Sequence, residues 1–485
     1  MRDGGGDGTL IQLMIPGAES ASAPVPVYAP YDGSEIAAVA TADRAAVDKA
    51  LETAFALYRD RDKWLEGPRR SEILERTAAI MTDRADELAL EAAREGGKPL
   101  IDSRVEVARA IDSIKMCIET LRTDTGTSIP MGINAASSNR LAVTRKEPIG
   151  VVVAVSAFNH PLNLIAHQVG PAVASGCPVL VKPADDTPLS CMRFVQILRE
   201  AGLPDEWCQP MVTADLEIAT ALVTDERVAF FSFIGSARVG WSLRGQLSPG
   251  TRAALEHGGA APVILAADAD LEVALPSILK GGFYHAGQVC VSVQRVFAHE
   301  SVARDFAQRL ASDASRLVIG DPTDEATEVG PLIRPREVTR VAEWVEEARD
   351  KGATVLCGGE ALSETCYQPT VLLDPPDDIS VSAQEIFGPV VCVYSFADTD
   401  EAIRRANELQ FAFQASVFTR DLDMAMRVYS RLDASAVMVN DHTAFRVDWM
   451  PFAGLGRSGL GIGGIPHTMN DMQIEKMIVI RSPEL

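Results

Sequence analysis

The pattern with the clearest chemical potential is Gly287-Gln288-Val289-Cys290-Val291-Ser292, with Ala286 before it and Arg295 after it. A thiolate is a strong nucleophile, and small neighbours allow a substrate or cofactor ring to approach it closely. A buried cysteine at a helix start fits the same residues equally well. Upstream, Glu256 precedes His257-Gly258-Gly259 at the end of an apolar stretch. A carboxylate there, beside a Gly-Gly that admits a ligand, suits a general base; a solvated loop glutamate is the plainer alternative. Further upstream, Phe158-Asn159-His160-Pro161 stands between a strand-like and a helix-like segment. The Asn159 amide can donate to a developing oxyanion, or it can cap the following helix with proline in the first turn.

Three further motifs suit a dinucleotide. Lys182-Pro183-Ala184-Asp185 follows an apolar run, and a lysine with a carboxylate there can hydrogen-bond ribose hydroxyls; a charged loop pair is the alternative. In Phe233-Ile234-Gly235-Ser236-Ala237-Arg238-Val239-Gly240, Gly235 allows a tight turn. Ser236 and nearby N–H groups at a helix start can receive a pyrophosphate, or Ser236 is simply an N-cap. Glu385-Ile386-Phe387-Gly388-Pro389 offers a carboxylate and a ring beside a turn.

The elements that must position these residues follow from hydropathy. Residues 42–122 have a helical period, with Val47, Leu51, Ala54 and Leu57 on one face. Residues 140–147 alternate as a half-exposed strand. From Ile149 onward, β-rich runs at 151–155, 179–181, 208–212 and 228–233 alternate with helical stretches at 162–174, 189–201 and 216–223. Strands apolar on both faces imply a parallel sheet covered by helices, and such sheets bind ligands at their carboxyl ends. Residues 263–418 repeat the style and predict a second α/β domain. Residues 472–480 alternate again, as a strand that pairs away from the main body.

The 485 residues suffice for two or three domains. A net charge of −22, from 45 basic and 67 acidic side chains, argues against nucleic acid or an anionic membrane as partner. The longest apolar run, 149–155, falls far short of the roughly 20 residues of a membrane span. Residues 1–10 lack a basic region followed by an apolar one, so no secretory signal is expected. Eight cysteines without a C-x-x-C pair suggest neither a zinc site nor a disulfide framework, and a reducing cytoplasm.

Taken together, these six motifs resemble the aldehyde dehydrogenase superfamily in order and spacing across about 450 residues. The resemblance implies a Rossmann-like cofactor domain (residues 1–128 and 148–257), an α/β catalytic domain (258–458) and a bridging β oligomerisation segment (129–147 and 459–485) of a homodimer or homotetramer. It also implies Cys290 as nucleophile, Glu256 as general base, and Asn159 with the Cys290 N–H as oxyanion hole. Lys182 and Asp185 would then bind the adenosine ribose, Gly235 and Ser236 the pyrophosphate, Glu385 the nicotinamide ribose, and Phe387 would lie against the nicotinamide. The thiol is expected to have a depressed pKa or a base nearby. Asp185 should favour NAD by repelling a 2′-phosphate, with NADP usable. The chain departs from the family's usual pattern with His257 and Ala260 around the Gly-Gly, Ile234 for threonine, and alanines near 214 and 219 for glycines.

Relatives that share this wording include lactaldehyde, non-phosphorylating glyceraldehyde-3-phosphate and phosphonoacetaldehyde dehydrogenases. Arg109, His160 and Arg446 are the groups expected to hold a substrate tail. Their alternatives are local pairing of Arg109 with Glu106 or Asp112, and of Arg446 with Asp448. Val289 stands where some anion-binding relatives place arginine, which favours a hydroxyaldehyde or singly charged semialdehyde over a phosphate. An aromatic or aliphatic aldehyde in an apolar tunnel is the competing reading. A coenzyme A-acylating enzyme would be expected to lack Glu256, and a non-catalytic member to have lost Cys290, Glu256 or Asn159. A thiol esterase using Cys290 alone would not need the cofactor motifs.

Overall fold

The first sheet forms because Val151–Val155, Val179–Lys182 and Val228–Ile234 are too apolar to leave either face in water. The computed structural model describes residues 10–19, 22–213 and 215–485. Ala214, one of the alanines that replace family glycines, therefore lies outside the described residues. The strand order is Gly459–Leu460, Arg252–Glu256, Val228–Ile234, Val151–Val155, Val179–Lys182, Cys208–Pro210. All neighbours run parallel except Gly459–Leu460, which is antiparallel to Arg252–Glu256. The register aligns Val155 with Lys182 and with Phe233, and Ile234 with Glu256. One carboxyl edge therefore launches the loops of Asn159, Asp185 and Ser236 and ends in Glu256.

Helix Asn163–Ser175 is buried along nearly its whole length, which explains its run of alanine, glycine and valine. It lies between the sheet and the long helix Leu100–Thr123. The helical period of residues 42–122 becomes four helices: Arg44–Arg59, Gly67–Asp83, Ala85–Gly96 and Leu100–Thr123. The antiparallel pair Ser22–Tyr28 and Glu35–Ala42 has no counterpart in the sequence expectations; prolines at 24 and 26 break the alternation that marks a strand.

The second sheet has the order Thr354–Cys357, Thr370–Leu373, Val390–Phe396, Arg295–His299, Pro262–Leu265, Gln414–Phe418, Ala436–Val439. Only Thr354–Cys357 is antiparallel to its neighbour. Cys290 and Glu385 precede two of its strands, so this sheet presents its amino edge to the carboxyl edge of the first. Gln473–Arg481 pairs with Arg140–Pro148 over nine residues, and Ser128–Ile129 joins on the other side. Met477, Ile478, Val479 and Ile480 are exposed on this small sheet. The stretch after residue 458 divides: Gly459–Leu460 extends the first sheet, Ile465–Asp471 packs on Leu100–Thr123 and Asn163–Ser175, and only Gln473–Arg481 enters the small sheet. Among the described residues no helix is long and apolar enough to cross a membrane.

Candidate active site

Between the two sheet edges lies a cavity of about 750 Å³, and Asn159, Glu256 and Cys290 all line it. Cys290 sits half-buried on a turn rather than at a helix start. The turn is strained: His285 and Ala286 have φ of 47° and 53°, conformations that cost about 1–3 kcal/mol each. Gln288 braces it by donating to the carbonyls of His285 (3.3 Å) and Pro331 (3.2 Å) and accepting from the Ile333 N–H (2.9 Å). Burial pushes the Cys290 thiol up to about 12, with Arg446 opposing the shift and Glu256 and Glu385 adding to it. Of the two expectations, a depressed pKa or a base nearby, the first does not hold, because burial outweighs the Arg446 guanidinium; a carboxylate, Glu256, does line the same cavity.

Asn159 Nδ2 donates to the Gln288 carbonyl at 3.0 Å, which ties the amide to the Cys290 turn and leaves its second hydrogen for an incoming oxygen. It does not cap the next helix. That helix has Leu162 as its N-cap, with no side-chain cap bond, and buried Glu106 accepts from the N–H groups of Leu162 and Asn163 instead, both at 2.9 Å. The loop that carries Asn159 is thereby anchored from the helix beneath it.

Glu256 ends its strand, and its carbonyl accepts from Gly235 N–H at 3.0 Å. A Cβ built on Gly463 would overlap Glu256 Oε1, so the carboxylate occupies space that only a glycine vacates. Burial raises its pKa, Arg446 opposing and Asp448 reinforcing. An acid poised above the usual carboxylate range is suited to taking a proton near neutral pH. Arg446 stacks 3.5 Å over the Phe452 ring. Its Nε is 3.7 Å from Asp448 Oδ1, yet it is buried without a hydrogen-bond partner among the described residues.

Arg109 also lines the cavity, but its partner is neither Glu106 nor Asp112. It grips Asp448 through Nη2 (2.6 Å) and Nε (3.1 Å). His167 Nε2 reaches the same carboxylate at 2.7 Å. Burial alone would raise the Asp448 pKa; His167 and Arg109 hold it far below the carboxylate range. His160 lines the cavity as well, and burial holds its pKa well below the ordinary imidazole value, Lys98 and Arg109 adding to the effect. Of the three groups expected to hold a tail, Arg109 is already matched by a fixed anion and His160 is uncharged.

Gly235, Ser236, Glu385 and Phe387 line the other end of the cavity. Ser236 is the N-cap of Ala237–Arg244 but makes no side-chain cap bond. Glu385 Oε1 is buried with no partner among the described residues, and burial pushes that carboxyl up to about 8, against a bond from Gly259 N–H. Phe387 adopts φ 49° and meets Phe158 edge to face at 5.8 Å. An orphaned buried carboxylate oxygen, an unused hydroxyl at a helix start and a ring on one wall fit a dinucleotide's ribose, pyrophosphate and nicotinamide. Lys182 and Asp185 pair with each other at 2.7 Å. Asp185 faces a separate hollow with Asp32, Asp186 and Arg334.

Sequence reasoning misses Lys98, Glu106 and His167, which act through neighbours. It also misses Arg238, Arg336 and Arg340, which line the cofactor end. The basic run Arg334, Arg336 and Arg340 around Pro335 is the signal that points to the last two.

Comparisons with known proteins identify the family. The model of the aldehyde dehydrogenase family matches residues 18–478. A 3-sulfolactaldehyde dehydrogenase of Priestia aryabhattai is 36% identical over 450 residues, covering 93% of each chain. Aldehyde dehydrogenase 21 from Physcomitrella patens, solved with the reaction product succinate, superposes with a TM-score of 0.93 at 32% identity, covering 98% of each chain. Glyceraldehyde-3-phosphate dehydrogenase GapN from Methanocaldococcus jannaschii, complexed with NADP, gives a TM-score of 0.90 at 33% identity, covering 94% of this chain and 99% of that one. With a thiol, a carboxylate and an amide around one cavity and a polar end beside them that fits a dinucleotide, the chain belongs to the aldehyde dehydrogenase family, whose members oxidise aldehydes with NAD(P).

Proposed function

We propose that this protein oxidises a small hydroxyaldehyde or singly charged semialdehyde to its carboxylate through a thioester on Cys290. The observation that carries the reading is the convergence of Cys290, Glu256 and Asn159 on one cavity beside the stacked guanidinium of Arg446. The Cys290 thiol gives its proton to solvent and the thiolate adds to the aldehyde carbon, while the Asn159 amide with the Cys290 N–H receives the oxygen as it gains charge. A bound nicotinamide dinucleotide supplies the two-electron acceptor that turns this adduct into a thioester. Glu256 takes a proton from water, which attacks the thioester carbon and releases Cys290. Gly235, Ser236, Glu385 and Phe387 hold the dinucleotide, and its adenosine ribose extends past Ala184 on the cavity rim towards Lys182 and Asp185. Asp185 disfavours a 2′-phosphate, so NAD is the preferred cofactor and NADP a usable one.

The substrate class follows from charge. Asp448 matches Arg109 and His167, and His160 is neutral, so Arg446 is the cation left to meet a tail. One guanidinium suits one negative charge or a hydroxyl better than a doubly charged phosphate. The relatives named for 3-sulfolactaldehyde and solved with succinate concern molecules with a sulfonate or a carboxylate, which supports this choice. Residues 1–128 with 148–257 serve as the cofactor unit and 258–458 as the catalytic unit. The bridging segment, residues 129–147 with Gln473–Arg481, joins subunits into a dimer or tetramer through its small exposed sheet. The test is a panel of hydroxyaldehydes, semialdehydes, aliphatic and aromatic aldehydes with NAD and with NADP. Oxidation of semialdehydes or hydroxyaldehydes with the highest kcat/KM is expected; preference for long apolar or aromatic aldehydes would overturn it.

A further inference from the structure

Lys98 is fully buried in the Gly96-Gly97-Lys98-Pro99 turn, behind the wall that carries Asn159 and His160. Its ammonium faces three acceptors. It donates to the Asn159 carbonyl at 3.0 Å, lies 2.8 Å from His160 Nδ1, and makes an ion pair with Glu106. An ammonium has three hydrogens and no lone pair. All three are directed outward here, so His160 Nδ1 must supply a lone pair and cannot carry a proton. Burial lowers the Lys98 pKa and Glu106 opposes it; a neutral amine accepting from Nδ1 would leave that buried carboxylate without its counter-charge.

We infer that Lys98 is a positioning residue that fixes His160 as the neutral tautomer protonated at Nε2, so that the ring offers a constant N–H donor to an oxygen on the aldehyde's tail. His160 lines the cavity, and Nε2 has no hydrogen-bond partner among the described residues. The same Lys98 contact steadies the backbone of Asn159, so the oxyanion amide and the tail donor share one anchor. The inference rests on the function proposed above for its substrate, but not for its tautomer.

The donor does not depend on pH. Burial lowers the His160 pKa most, and Lys98, Arg109, His285 and Arg446, which face the ring with positive or potentially positive charge, add to it. Glu106, 4.0 Å from Nδ1, is the opposing charge, already paired with Lys98. Tyr284 stacks on the ring at 6.0 Å between centroids and His285 lies at 6.4 Å. A donor that never becomes a cation recognises hydroxyl and anionic oxygens alike, and leaves discrimination by charge to Arg446.

The test begins with the full-length enzyme labelled with 15N-histidine, in which two-bond proton–nitrogen correlations report each ring's tautomer and His160→Asn assigns the His160 signal. A neutral ring protonated at Nε2 is expected from about pH 6 to about pH 9. Protonation at Nδ1, or titration within that range, would overturn the inference whether or not any aldehyde is oxidised. The second arm compares His160→Leu with His160→Gln on a hydroxyaldehyde and on an unsubstituted aldehyde of equal length. His160→Leu should lose about tenfold in kcat/KM on the oxygen-bearing substrate alone, and His160→Gln, whose amide also donates, should recover part of it. Equal losses on both substrates would refute the donor role. The double variant Lys98→Met with Glu106→Gln removes the anchor without stranding a charge. Its His160 should populate both tautomers, and an unchanged Nε2-protonated signal would refute the part given to Lys98.

Discussion

Arg109 meets Asp448 side-on, with two nitrogens on two oxygens at 2.6 and 3.1 Å, although 339 residues separate them in the chain. The pairing separates the two cavity arginines into different jobs. Arg446→Leu should lower kcat/KM on a semialdehyde by about tenfold to a hundredfold more than on an uncharged aldehyde of equal length, the worth of a charge-assisted bond of about 1.5–3 kcal/mol. Arg109→Leu should lower the thermal midpoint, and adding Asp448→Asn should restore part of it. Thermal denaturation beside kinetics on the two aldehydes checks both halves.

Cys290→Ala should abolish aldehyde oxidation while leaving cofactor binding nearly intact. Alkylation of the wild-type protein by iodoacetamide should be slow at neutral pH and accelerate only well into the alkaline range, because burial favours the thiol. Arg446→Leu removes a cation that favours the thiolate, so the profile should move to higher pH. Glu256→Gln removes an anion that opposes it and should move the profile lower. Inactivation rates across pH give the answer directly.

Glu256→Gln should retain a first burst of reduced cofactor and then turn over slowly. Loss of a general base lowers the steady-state rate by about 10² to 10⁴. Stopped-flow absorbance followed by steady-state rates distinguishes this from a slowed first step, which would show no burst.

Asp185 is the residue through which the proposed cofactor preference can be tested. The wild type should show higher kcat/KM with NAD than with NADP. Asp185→Ala should narrow or reverse that ratio by removing the repulsion and freeing Lys182 from its 2.7 Å ion pair.

Stability should fall as pH rises between the ordinary carboxylate range and about 8. Burial pushes Glu385 and Glu95 each up to about 8, so the folded chain keeps protons that the unfolded chain has released. Their contribution is complete below the unfolded pKa and is lost as pH climbs through the folded one. Urea denaturation at several pH values should show this slope, and Glu385→Gln should reduce it; Glu95, held by the Leu189 and Ser190 N–H groups, keeps the remainder.

Much of this arrangement is legible in the chain itself. Helix Leu216–Val223 has the bounds its period indicates, and Glu256 ends its strand. Cys290, Glu256 and Asn159 stand on the cavity because each belongs to a short motif at a strand edge. What cannot be read depends on contacts across the chain. Asp448 reaches Arg109 from another part of the chain, so the local rule of helical spacing points to Glu106 and Asp112 instead. Lys98 belongs to none of the six motifs, and only its burial against Glu106 and His160 reveals a role. The raised Cys290 thiol reflects burial and the summed charge of Glu256, Glu385 and Arg446, which no motif contains.

Glu256 Oε1 and Glu385 Oε1 lie where side chains at Gly463 and Gly258 would begin. The two acids are therefore seated in notches cut from the backbone of distant segments. Gly258 and Gly463 carry no functional group, yet a saturation screen should rank them as intolerant as the acids they accommodate. A side chain at either glycine would displace a carboxylate and silence the enzyme without touching a reactive atom.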